Sequence, residues 1–129
     1  MKLTKNFSLE EFTVSTSGQK AGIDNTPNQI QIKRIQELCE DVLQPLRTAY
    51  GRPITITSGF RCPALNKLVG GVEHSEHQDG TAVDIWADDL PYLFGWIQEH
   101  CEYNQLIWEY GRWIHISYSR NKKQVLFKK

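Results

Sequence analysis

The sequence predicts an α+β fold: a small, mainly antiparallel sheet with helices packed on one side. Three observations predict it. Residues 53–58 and 81–86 alternate and are rich in β-branched or aromatic side chains, as strands are. Residues 106–109 and 113–117 are two more such runs around Tyr110-Gly111-Arg112, a hairpin with a short Gly-containing loop. Between the strands, apolar residues recur at helical spacing. The 129 residues suit a single domain, 1–129, with one core.

Taken in order, Ser8-Leu9-Glu10-Glu11 fits a capping box and predicts one short helical turn that carries Phe7 and Phe12 inward. Residues 13–25 are polar and Gly-containing and read as a loop. Thr26-Pro27 reads as a helix start, with Thr26 as cap and Pro27 in the first position. Ile32, Ile35, Leu38, Val42 and Leu46 follow at helical spacing through Arg47, and Pro45 is expected to kink or loosen the last turns. Gly59 breaks the strand at 53–58. Residues 63–69 suit a short helix ended by Gly70-Gly71, and 81–86 is the second strand. Asp88 or Asp89 caps a helix with Pro91 in its first turn, running to about Cys101. After the hairpin, Val125-Leu126-Phe127 is a candidate edge strand.

Composition narrows the function. Lys+Arg and Asp+Glu balance at 15 each, which argues against a nucleic-acid binder. The basic run Arg120, Lys122, Lys123, Lys128 and Lys129 reads as a solvated tail. Three widely spaced cysteines, Cys39, Cys62 and Cys101, make neither a disulfide framework nor a Cys-rich zinc site, and fit a reducing compartment. No stretch is long and apolar enough for membrane insertion, and residues 1–6 lack the apolar segment of a signal peptide. Synthesis in the cytoplasm is therefore expected, and any action outside it needs another export route.

The chemistry-bearing residues are His77, Asp84 and His115. Catalytic zinc sites use three such protein ligands and leave a fourth position for water, whose pKa falls to about 7. Asp84 shares a strand face with Ala82 and Trp86, while Val83 and Ile85 face the other way. His77 lies seven positions upstream, with Gly80 permitting a turn between them. His115 alternates with Trp113 and Ser117. If the hairpin loop is the three residues 110–112, Glu109 pairs with Trp113, Ile107 pairs with His115, and Glu109 lies on the His115 face roughly 7 Å away diagonally. A two-residue loop puts Glu109 on the opposite face. A carboxylate beside the metal can take the proton of the attacking water and deliver it to the leaving amine. Arg61 is placed to polarise a carbonyl or hold a substrate carboxylate. Each residue also has an ordinary reading: His115 as a hydrogen-bonded strand histidine, Asp84 as a cap or salt bridge, Arg61 as a surface charge, Glu109 as a polar hairpin end, Trp86 and Trp113 as packing.

Several stretches together resemble the zinc D-alanyl-D-alanine carboxypeptidase family, of hedgehog/DD-peptidase-like fold, and in particular its single-domain phage and prophage branch with L-alanyl-D-glutamate endolysins. They are Phe7-Ser8-Leu9-Glu10-Glu11-Phe12, Leu43-Gln44-Pro45-Leu46-Arg47, Ile56-Thr57-Ser58-Gly59-Phe60-Arg61, Leu65-Asn66, Val69-Gly70-Gly71-Val72, residues 75–84 and Trp113-Ile114-His115-Ile116-Ser117. The likeness covers about residues 7 to 118. It implies a zinc peptidase domain with His77, Asp84 and His115 as Zn2+ ligands, Arg61 binding and polarising substrate, and Ser75 as a substrate contact or a donor behind the first ligand. Trp86 and Trp113 are candidate substrate contacts. Many members place the catalytic acid three residues before the last histidine, where this chain has Arg112. Glu109 is the nearest upstream carboxylate and the first choice as proton carrier, with Glu73, Glu76 and Asp79 also near. His74 is expected at the surface as a decoy.

The resemblance implies a monomer that hydrolyses peptidoglycan stem peptides. It would act as a carboxypeptidase or an endopeptidase on the cell wall, after a holin or another route releases it. Two other readings stand beside it. One is a non-catalytic cell-wall-binding or virion-associated module that kept the fold. The other is a structural metal site, against which stands the lack of a convincing fourth ligand.

Overall fold

The computed structural model describes residues 1–73, 75–118 and 124–128. A two-stranded antiparallel ribbon opens the chain, β1 (Lys2–Thr4) and β2 (Phe7–Ser8). Ser8 then caps α1 (Leu9–Thr13), and its backbone N–H donates to Glu11 Oε2 at 2.7 Å, the reciprocal half of the capping box. Phe7 and Phe12 are buried as the pattern requires.

The stretch at 13–25 is not wholly loop. Ser15 Oγ accepts from Gly18 N at 3.1 Å and starts the short α2 (Thr16–Lys20). The next helix begins two residues later than Thr26-Pro27 suggested. Thr26 instead donates N–H and hydroxyl to Asp24 Oδ1, a local turn, and Asn28 caps α3 (Gln29–Leu38) in a capping box with Gln31.

Pro45 acts on the helix that follows. A π-helical turn at Cys39–Leu43 joins α3 to α4 (Gln44–Tyr50), with Gln44 N–H bonding back to Cys39 O. The wider turn accommodates a proline ring that lacks an N–H and would crowd the preceding carbonyls. Ile35, Leu38, Val42 and Leu46 stay on one buried face across the irregularity, while Ile32 is half-buried.

The main sheet has five strands in the order β3-β4-β6-β5-β7: β3 (Thr55–Ser58), β4 (Ala82–Trp86), β5 (Gln105–Glu109), β6 (Trp113–Ser117) and β7 (Gln124–Lys128). All pairings are antiparallel except β5 with β7, which are parallel. The last strand does form the edge expected from Val125-Leu126-Phe127. Between β3 and β4 lie α5 (Pro63–Leu68) and the single turn α6 (Glu76–Asp79); α7 (Leu90–His100), capped by Asp89 Oδ1 accepting from Tyr92 N at 3.1 Å, crosses from β4 to β5. Among the described residues, no helix is long and apolar enough to cross a membrane.

Alternation along the strands divides the sheet into two faces. Val83, Ile85, Leu106, Ile114 and Ile116 are fully buried against Leu38, Val42, Leu43 and Leu46 of the kinked helix and against Leu93 and Ile97 of α7. The opposite face carries Asp84, His115, Ile107 and Glu109, and stays open to a cleft flanked by α2, α5 and α6.

Candidate metal centre and active site

Register brings the first two metal-type residues together without any loop. β4 and β6 pair with Asp84 directly opposite His115, and β5 places Ile107 beside His115 and Glu109 beside Trp113. The three-residue hairpin loop is thus present. Its turn has Tyr110 at φ 60° and Gly111 at φ 69°, closed by Arg112 N–H donating to Glu109 O at 3.0 Å. Glu109 accordingly stands on the His115 face.

His77 arrives from α6. Ser75 Oγ accepts from His77 N at 3.2 Å and caps this turn, and Gly80 at φ 80° ends it. A Cβ on Gly80 would lie 2.8 Å from Gln31 O, so close packing on α3 as well as the left-handed backbone requires glycine there. The His77 imidazole is buried and its Nδ1–H donates to Gly59 O at 2.7 Å. That bond fixes the ring and turns Nε2 toward Asp84, the usual arrangement behind a metal-binding histidine.

The three side chains converge. His115 Nδ1 lies 2.9 Å and His77 Nε2 3.5 Å from Asp84 Oδ1, and one ligand atom from each residue lies within 4.8 Å of the other two. Two imidazole nitrogens and a carboxylate oxygen at this spacing fit a borderline-soft divalent cation with a free coordination position. Burial pushes the Asp84 carboxyl up, but hydrogen bonds from His115 and His77 and their charge outweigh it and hold it at about 2. Asp84 is therefore an anion at neutral pH, as a ligand must be.

Arg61 stands beside the triad. Its guanidinium donates from Nε to Ser58 Oγ at 3.2 Å and from one terminal nitrogen to Asn66 Oδ1 at 3.1 Å; the other lies 3.8 Å from Asp84 Oδ2. Asn66 is buried, and its Nδ2 donates to Val72 O at 2.8 Å, tying Arg61 to the 70–72 loop. Gly71 makes room for this: a Cβ there would sit 2.1 Å from Asn66 Oδ1. Sequence reading picked out Asn66, Gly59 and Gly71 only as matched positions or breaks. Their roles, holding Arg61 and orienting His77, depend on contacts that no spacing rule encodes.

The triad, Arg61, Ser75, Glu109 and Trp113 all line one open cleft of about 990 Å³. Ser75 serves as the cap of the His77 turn as well as lining the cleft. Trp86, on the same strand face as Asp84, is 42% exposed and does not line it. The other carboxylates are placed differently. Glu76 lines the cleft but accepts from Asn104 Nδ2 at 2.9 Å, while Glu73 and Asp79 are exposed and outside the lining. Arg112, three before His115, is exposed in the hairpin turn. His74 lies outside the described residues. Of the basic tail, Lys128 reaches the cleft, with Nζ 3.5 Å from Glu109 Oε1. None of the three cysteines is in a disulfide. Cys39 and Cys101 are buried, and burial pushes the Cys39 thiol up to about 12.

Comparison with known proteins gives the chain's family. The zinc D-Ala-D-Ala carboxypeptidase of Streptomyces albus G is 46% identical over 46 residues, 35% of this chain. That match spans only 18% of the relative's own length. The family model of Peptidase M15 matches residues 5–117, which include all three residues of the triad, Arg61 and Glu109. The chain belongs to the peptidase M15 family.

Proposed function

We propose that this protein is a zinc-dependent peptidase that hydrolyses peptide bonds in peptidoglycan stem peptides. The observation that carries the proposal is the convergence of His77, Asp84 and His115 on one face of the sheet, within 4.8 Å of one another, in a cleft that also holds Arg61 and Glu109. The similarity to a zinc D-Ala-D-Ala carboxypeptidase supports both the metal and the substrate class.

His77, Asp84 and His115 would hold the zinc ion, which when bound supplies Lewis acidity at neutral pH. The chain's own residues do the rest. Glu109, buried at the end of β5, takes a proton from the attacking water and later gives it to the leaving nitrogen. Arg61, held by Ser58 and Asn66, presents positive charge to the carbonyl oxygen as it becomes an anion. A fixed guanidinium costs no reorganisation when that charge develops, whereas a free surface arginine would. The His77–Gly59 bond keeps the first ligand in one tautomer throughout. Trp113 forms an aromatic wall of the cleft. A cleft of about 990 Å³ accommodates several residues of an extended peptide, more than one terminal alanine requires.

The test is incubation of the zinc-loaded protein with peptidoglycan fragments of defined stem peptides, read by mass spectrometry beside His115→Ala. Zinc-dependent loss of one alanine identifies a carboxypeptidase. Cleavage after the L-alanine identifies an endopeptidase. No cleavage of any stem by a folded, zinc-bound protein overturns the proposal.

A further inference from the structure

We propose that Lys128 is a positioning residue for Glu109, so that the edge strand β7 completes the active site from outside the hairpin that carries it. The inference rests on the reading of Glu109 as the proton-carrying carboxylate. Glu109 ends β5, and its two strand neighbours face it from either side. On β6 its register partner is Trp113, and on β7 it is Lys128. The ladder continues past the pair, with Tyr110 N–H donating to Lys128 O at 2.8 Å, so the lysine's backbone is fixed where its side chain is needed. Residues opposite each other on neighbouring strands project to the same face. Both side chains therefore enter the cleft, where Lys128 Nζ sits 3.5 Å from Glu109 Oε1.

The asymmetry of this pair matters. The Glu109 side chain is 10% exposed and that of Lys128 49%, so the carboxylate is enclosed and the ammonium approaches from the solvent side. Among the described residues, Lys128 is the cation paired with Glu109. A half-exposed ion pair adds little stability. Its effect is on where the carboxylate points: Lys128 Nζ, 3.5 Å away, draws Glu109 Oε1 toward the β7 side of the cleft. A proton carrier has to be held within hydrogen-bond reach of both the water and the leaving nitrogen, and small displacements are costly in rate. The pairing therefore acts on turnover and leaves folding and substrate affinity alone.

The experiment compares the zinc-loaded 129-residue chain with Lys128→Met, of similar length but uncharged, and Lys128→Arg. Kinetics use a defined stem peptide. In parallel, 13C NMR follows the glutamate carboxyl signals, with that of Glu109 assigned from its loss in Glu109→Gln. Lys128→Met is expected to lower kcat about tenfold with KM within about twofold, and Lys128→Arg to recover most of it, the size of effect that mispositioning a catalytic group produces. Zinc content and Tm should match the wild type. The Glu109 carboxyl signal should move in Lys128→Met and return in Lys128→Arg. Unchanged kcat in Lys128→Met overturns the proposal, as does a raised KM with kcat intact, which would make Lys128 a substrate contact. If the wild type cuts no stem peptide, the peptidase reading fails. The NMR arm then decides the pairing alone: a moved signal supports it and an unmoved one overturns it.

Discussion

Asp84 faces three partners at once: His77, His115 and Arg61. In the metal-free protein its carboxyl is held at about 2, below the ordinary 3.8. The sign follows directly. Around pH 3 the unfolded chain binds more protons at this group than the folded one, so its stabilisation is present above about 3.8 and is lost as pH falls toward 2. The lost contribution is about 2 kcal/mol for a shift of this size. Urea midpoints of metal-free wild type should therefore fall more steeply between pH 5 and pH 2 than those of Asp84→Asn, and parallel curves would contradict the depressed value. At Glu109 the expectation concerns rate. Glu109→Gln should lower kcat by about 10² to 10⁴, the usual contribution of a general acid–base, while zinc binding and Tm stay near wild type. Asn66→Ala removes one hydrogen-bond partner of Arg61 and the donor to Val72 O. A loss of about 1–3 kcal/mol in thermal or urea unfolding is expected, as for lost hydrogen bonds of which one joins a charged group, together with reduced kcat/KM.

At the scale of elements, α6 is the weakest support of the site. It is one turn, capped by Ser75 and closed by Gly80. Gly80→Ala adds a Cβ 2.8 Å from Gln31 O and forces alanine to φ 80°. A cost of about 1–3 kcal/mol is expected from strain of this kind, and His77 should lose its place in the triad. Measuring Tm and competing zinc away with a chromogenic chelator separates the two effects. A loss of zinc affinity larger than the loss of stability would place the strain at the ligand. The elements also show what the sequence could reveal. Strand alternation placed Asp84 and His115 on one face because a two-residue period is a local property. The hairpin loop length then decided the face of Glu109, and the register bears out the three-residue choice. Helix caps were less legible. Thr26 and Asn28 are both good caps, and the Asp24 turn and the Gln31 capping box selected between them. The 13–25 stretch lacks an apolar period, so the α2 turn shows only in Ser15 and its bond to Gly18. The role of Lys128 was hidden for another reason. A lysine in a basic run reads as a solvated charge, and only the parallel pairing of β5 with β7 sets it beside Glu109.

Across the whole molecule, the strands that carry Asp84 and His115 also build the core. Val83 and Ile85 flank Asp84, and Ile114 and Ile116 flank His115, all of them fully buried. Ile114→Ala should therefore cost about 2–5 kcal/mol, as large-to-small changes in a packed core do, and weaken the metal site as well. A zinc ion held by the folded triad should in turn raise Tm in proportion to the logarithm of its free concentration. The dependence should vanish in His115→Ala, and a Tm that ignores zinc in the wild type would argue against the triad as its site. The Asp84–His115 register pair has a consequence for how the protein breathes. Amide protons of β4 and β6 are expected to exchange with solvent only when the whole domain opens, since each strand is paired on both sides. Asp84 and His115 then belong to the slowest-exchanging unit of the molecule. On heating, Asp84 and His115 should therefore part only as the whole domain unfolds, whereas His77 can leave earlier with its single turn.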